Sequence, residues 1–110
     1  MAKAQPDLIR GTLDMLILKT LSLEPMHGWG IQERIQAWSD DLLRVQQGSL
    51  YASLHRLTRE GWIRSSWANT PHNRRARYYA LTPAGKRQLG VEAEQWRQLS
   101  TGVKRVLATT

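Results

Sequence analysis

From Leu8 to Leu23 the chain places apolar residues at 8, 9, 13, 15, 16, 17, 18, 21 and 23. They recur at helical spacing but fill more than one stripe, which predicts a helix buried on two sides. Glu24-Pro25 ends it, because the residue before a proline avoids the helical region. Ile31, Ile35 and Trp38, at i, i+4 and i+7, predict a second helix over Gly28 to Trp38. Its glycine-rich start, His27-Gly28-Trp29-Gly30, is poor helix interior and is expected to leave backbone N–H groups open to an anion. Ser39-Asp40-Asp41 read as a turn, and Leu42 to Val45 as a short extended link. Leu50, Leu54 and Leu57 predict a third helix from Gln47 to Glu60, closed by Gly61 as a C-terminal cap. Opposite those leucines, within roughly 50° at about 100° per residue, stand Gly48, Ala52, His55, Arg56 and Arg59, with Ser49 and Tyr51 at the flanks.

Trp62 to Trp67 and Arg75 to Leu81 have the aromatic, alternating content of strands, and the turn-rich stretch Asn69 to Arg74 joins them as a hairpin with a basic tip. Thr82-Pro83 then supplies an N-cap followed by proline at the first helical position. A last helix runs to about Leu107, with apolar positions 89, 93, 96, 99, 103 and 106 close to an a/d seam. Leu89, Ala93, Trp96, Leu99 and Val103 are therefore the expected dimer interface. The order of three helices, a hairpin and a long helix predicts a mainly α fold with a small β-hairpin, the layout of a winged helix-turn-helix. The DNA-binding unit would span 8–81 and the dimerisation helix 82–107, packed on the first helix, with flexible ends at 1–7 and 108–110.

Charge sharpens this picture. The 110 residues hold 16 Lys+Arg against 9 Asp+Glu, a net +7. Residues 1–43 have four cations and six acids, residues 44–87 nine cations and one acid, and residues 88–110 three cations and two acids. The whole excess thus sits in residues 44–87, most of it on the third helix and the hairpin, a concentration expected of a polyanion-binding face. A groove-entering helix needs small residues where it nears the bases and long donors further along, which Gly48 and Ala52, then His55, Arg56 and Arg59, provide. Arg74, Arg75 and Arg77 would grip the flanking backbone from the hairpin tip. The absence of cysteine excludes disulfides and thiolate zinc sites, and three scattered histidines make no metal cluster. No cofactor is implied. No catalytic motif is present, so an enzyme is not expected. No apolar run reaches transmembrane length and none opens the chain as a signal peptide, so a cytoplasmic protein that does not enter a membrane is expected.

The chain resembles the PadR family of bacterial transcriptional regulators, in its short form with a single C-terminal helix. The resemblance rests on Leu13 to Leu18 with Leu21, on His27-Gly28-Trp29-Gly30-Ile31, on Gly48-Ser49-Leu50-Tyr51 with Leu54, Leu57 and Glu60-Gly61, and on Arg77-Tyr78-Tyr79 with Leu81-Thr82-Pro83 and Gly85. The family usually has Tyr where Trp29 stands. It also often has Ser or Thr and then Pro before the Gly-Ser-Leu-Tyr stretch, where this chain has Gln46-Gln47; the helix cap is weaker here, while Gln47 gains reach to a base or phosphate. The resemblance implies a homodimeric repressor that releases a palindromic double-stranded DNA operator on binding a small molecule, and that controls its own gene or a neighbouring transporter or stress-response gene. It also implies that Ser49 and Tyr51 touch DNA backbone, that the outer face of the third helix reads bases, and that the Arg77-Tyr78 region touches the flanking groove.

Other readings stand beside these. Tyr51 and Tyr78 have a second reading as half-buried packing residues, Tyr78 above all because it lies next to Tyr79 on a two-faced strand, and Arg59 has one as the partner of an acid at the helix end. Trp96 at the seam is first of all dimer core; with Leu99, Leu16 and Asp14 it is also a site for a small aromatic or hydrophobic effector. The competing function is a nonspecific nucleic-acid-binding or nucleoid-type protein, against which the dimer seam argues.

Overall fold

The computed structural model describes residues 10–110; Leu8, Ile9 and the segment 1–7, expected to be flexible, lie outside the described residues. In chain order the elements are α1 (Arg10–Leu23), β1 (Met26–His27), α2 (Gly28–Trp38), α3 (Gln47–Arg59), β2 (Ile63–Asn69), β3 (Arg75–Leu81) and α4 (Pro83–Leu107). The fold is mainly helical, with a small three-stranded antiparallel sheet in the order β1-β3-β2. The sequence pattern anticipates every helix and both long strands to within a residue or two at their ends.

α1 is the centre of the packing. Leu13, Ile17, Leu18 and Leu21 are all buried, and α2, α3, α4 and β3 lie around it. This is the two-sided burial its wide apolar pattern requires. Ile31 and Ile35 from α2, Val45 from the link, Leu50, Leu54 and Leu57 from α3, and Ile63 and Tyr79 from the sheet complete the core. Asp40 and Asp41 turn the chain out of α2 at φ 54° and 67°, a left-handed conformation that short polar side chains tolerate. Asp41 accepts hydrogen bonds from Gln36 Nε2 at 2.5 Å and Arg44 Nη2 at 2.9 Å, which hold its carboxyl below the usual carboxylate range. The link is then pinned by Gln32, whose Nε2 donates to the Val45 carbonyl at 2.9 Å.

β1 is a strand that no sequence pattern marks. Its two residues pair with β3, Met26 opposite Tyr79 and His27 opposite Tyr78, and so attach the start of α2 to the hairpin. The hairpin keeps an unbroken register from Ile63 opposite Leu81 to Asn69 opposite Arg75. At its base, Gly61 takes φ +79° after α3. Thr82 Oγ1 donates to the Gly61 carbonyl at 2.7 Å and accepts from the Gly85 amide at 3.0 Å, so one hydroxyl joins the end of α3 to the start of α4.

Gly85 is buried, and a side chain there would strike the Trp62 carbonyl. Gly85→Ala is expected to destabilise the fold by about 2 kcal/mol or more, since the obstruction is backbone. Gly102→Ala, in an open helical position, is expected to stabilise by up to about 1 kcal/mol. Urea denaturation of the two variants should show midpoints displaced in opposite directions.

Candidate nucleic-acid interface

The outer side of α3 is built by the same periodicity that buries its leucines. Gly48, Ser49, Ala52, His55 and Arg59 are exposed, as is Gln47. Gln46 occupies the N-cap in extended geometry and makes no side-chain hydrogen bond, so the first-turn amides have no side-chain cap. Tyr51 stands half-exposed at one flank, against Gly28: a Cβ on Gly28 would lie 2.8 Å from the Tyr51 hydroxyl oxygen. Gly30 likewise admits the Met26 side chain, and its amide donates to His27 Nδ1 at 3.0 Å. The expectation that these glycines leave amides open to an anion is therefore corrected: both glycines are buried by close packing and the Gly30 amide is used by the helix cap.

Arg56 also departs from expectation. Its guanidinium does not project with His55 and Arg59; Nη2 donates to Asp14 Oδ1 of α1 at 2.5 Å and to Ser53 Oγ at 3.1 Å. Only 16% of its side chain is exposed, and 11% of that of Asp14. Helical angle places the Arg56 backbone on the outer side, but a long flexible side chain can return to a buried carboxylate that sequence periodicity cannot locate.

The wing is rigid at its tip and cationic along one strand. Thr70 Oγ1 accepts from the amides of His72 and Arg74 at 3.3 and 3.2 Å, and the Thr70 amide donates to the Arg74 carbonyl at 2.7 Å. Trp67, opposite Arg77 in the ladder, carries two guanidinium groups on its ring, Arg77 at 5.0 Å and Arg75 at 5.7 Å from the centroid. Such cation–π contacts restrain both arginines while leaving their donors outward. Tyr78 is half-buried and meets His27 edge to face at 5.3 Å, whereas Tyr79 faces the core, where burial pushes its hydroxyl pKa up against the opposing effect of Arg77. Between wing, α2 and Tyr51 lies an open cleft of about 1100 Å³, bordered by Trp29, Trp67, His72 and Arg75. Trp29 and Trp67, both exposed on this cleft, are residues that the sequence pattern does not single out. The signal available for them was an aromatic set of five Trp and three Tyr without Phe, each able to sit at a wet surface.

Among the described residues, ion pairs link Arg34 to Glu24, Arg44 to Asp41, Arg56 to Asp14 and Arg97 to Glu94, and none involves Arg59, Arg64, Arg74, Arg75 or Arg77. No group of three His, Asp or Glu among them could hold a metal, and no helix among them is long and apolar enough to cross a membrane. On α4, Trp96, Leu99, Val103 and Val106 are exposed in one stripe, with Ala93 also exposed. Leu89, expected in the same interface, instead packs against the core of its own chain. Of the residues expected around an effector, Leu16 is packed on the core and Asp14 is committed to Arg56, while Trp96 and Leu99 remain open.

Residues 17–91 match the model of the transcriptional regulator PadR-like family. Among solved structures, a transcriptional regulator from Clostridium thermocellum is 29% identical, with a TM-score of 0.80 over 92% of this chain and 97% of that one. A PadR family transcriptional regulator from Eggerthella lenta is 33% identical, with a TM-score of 0.75 over 92% and 86%. A PadR-like transcriptional regulator from Bacillus cereus is 25% identical, with a TM-score of 0.77 over 92% and 96%.

Trp67→Ala removes the platform under two arginines without touching the core. It is expected to weaken binding to any DNA duplex by about threefold to tenfold, the equivalent of about 0.7–1.4 kcal/mol for the two cations together, with the cooperative unfolding of the domain retained. Fluorescence anisotropy with labelled duplexes measures the first and thermal denaturation the second.

Proposed function

The chain belongs to the PadR-like family of transcriptional regulators, and from that premise we propose that it is a homodimeric repressor that reads a palindromic operator and leaves it on binding a small aromatic or hydrophobic effector. PadR regulators bind DNA, and this one is a regulator rather than an enzyme. The observation that carries the finer reading is the pairing of α3 with the wing. An exposed helix face that is small at Gly48 and Ala52 and donor-rich at His55 and Arg59 stands beside a strand whose arginines have no carboxylate partner among the described residues. The first half suits close approach to base edges, and the second suits phosphates.

In this reading Gln47, Ala52, His55 and Arg59 face the major groove. Ser49, Tyr51, Arg74, Arg75, Arg77 and the Tyr78 segment hold the backbone. Ala93, Trp96, Leu99 and Val103 pair with the same residues of a second copy, because large apolar side chains lined up in one exposed stripe cost free energy in a monomer. Two α3 helices related by that two-fold would enter half-sites ~34 to 36 Å apart. An effector wedged at Trp96 and Leu99 would alter the pairing of the two copies, and with it the half-site spacing. The regulated gene would be the protein's own or a neighbouring transporter or stress-response gene.

Selection from a random duplex library tests the reading. It should enrich an inverted repeat bound at least ~10³-fold more tightly than random DNA. Recovery of no common sequence would instead favour a nonspecific nucleic-acid-binding protein. On the selected operator, His55→Ala and Arg59→Ala should each cost about 1–3 kcal/mol of discrimination against changed half-sites. Arg74→Ala should weaken all sequences alike and reduce the slope of log K against log salt by about 0.9. Leu99→Asp should give monomers by sedimentation equilibrium, and dimers that persist in this variant would place the interface elsewhere.

A further inference from the structure

We propose that Asp14 withholds Arg56 from DNA, acting as a positioning residue that keeps a nonspecific cation off the reading face of α3. This rests on α3 being the helix that enters the groove.

The two residues are 42 positions apart and meet through a single buried contact between α1 and α3, at 2.5 Å. Ser53, itself 2% exposed, accepts from the same Arg56 nitrogen and steers the side chain along the flank of its own helix toward α1. A buried ion pair of this kind is a weak source of stability, because removing both charges from water offsets most of their attraction. Two apolar side chains would fill the same space as well. What the pair does achieve is geometric. The Arg56 backbone lies on the outer flank of α3, two turns on from Ser49, the residue placed above on the DNA backbone, so a guanidinium released there would reach the DNA phosphates.

A long cation at that place would add the same attraction to every sequence, since phosphate contacts carry no sequence information. It would raise affinity for random DNA and lower the ratio that a repressor depends on. Asp14 is the acid suited to prevent this. It sits on the helix at the centre of the core, is itself nearly buried, and holds Arg56 with a charge-assisted bond that a solvated phosphate must displace. Arg59, which lacks such a partner among the described residues, remains available for the groove.

Salt titrations of binding to a random-sequence duplex separate this from a purely structural role, because the slope of log K against log salt counts phosphate contacts. Asp14→Asn should bind random duplex on the order of fivefold to tenfold more tightly near 0.1 M salt, with a slope steeper by about 0.9. Arg56→Gln should keep the wild-type slope, and the double variant Asp14→Asn/Arg56→Gln should return to it. If Asp14→Asn does not fold, as judged by circular dichroism, Arg56→Gln decides alone, since a slope reduced by about 0.9 in that variant would mean that Arg56 touches DNA and would overturn the proposal. An Asp14→Asn variant that folds and keeps the wild-type slope overturns it as well. Arg74→Ala and Arg75→Ala in the same titrations keep the two readings apart: if neither flattens the slope, the DNA-binding face itself is misplaced, and otherwise only the role of Asp14 is in question.

Discussion

A helix that is apolar around most of its circumference has to be enclosed, and the enclosure of α1 is the constraint on which the other elements depend. Leu13, Ile17, Leu18 and Leu21 are each buried to within a few per cent, a burial that contributes on the order of 1.5–3 kcal/mol per side chain. No single neighbour can cover them. α2, α3, α4 and β3 all pack against α1. The leucines of α3 are drawn inward by this demand, and the rest of that helix is thereby turned outward. The outward residues of α3 are thus selected by exclusion: what α1 does not need is what α3 can present.

The same centre supports a surface that repels itself. Nine cations in residues 44–87 with one acid would favour an extended chain if nothing opposed them. The fold holds most of them in place without neutralising them. Arg75 and Arg77 are spread over Trp67, Arg74 is held at a tip fixed by Thr70, and Arg59 ends a helix. Arg56 is neutralised by a buried partner, and the carboxylate responsible comes from α1, so the element that organises the core also edits the charge pattern of the surface. Thr82 has a related role at the other end, where one hydroxyl fixes the path from α3 through the wing base into α4.

Most of the architecture was legible because its signals are periodic. The burial of Leu50, Leu54 and Leu57 predicts which way α3 faces, and Thr82-Pro83 marks the start of α4 to the residue. β1 was not legible, since two residues make no alternation and a strand so short exists only through its partner β3. The packing of the glycines at 28 and 30 is hidden from the sequence for a related reason. Their composition suggests open amides, but what decides their use is the approach of Tyr51 from α3 and of Met26, held in β1 opposite Tyr79. Leu89 falls on the α4 seam by spacing, and the fold packs it, half-buried, against the core of its own chain. Trp29 and Trp67 carried a compositional hint without a location.

Local order along the chain therefore settled the elements, their faces, and the concentration of charge on one helix and one hairpin, because each depends on neighbours three or four positions away, or two in a strand. Tertiary packing alone decided which of the outward side chains stay outward. Arg56 and Arg59 lie one turn apart on the same helix with the same chemistry. One meets a buried carboxylate 42 residues earlier and folds back; the other does not. That difference comes from the distance between two helices, which no window of sequence contains.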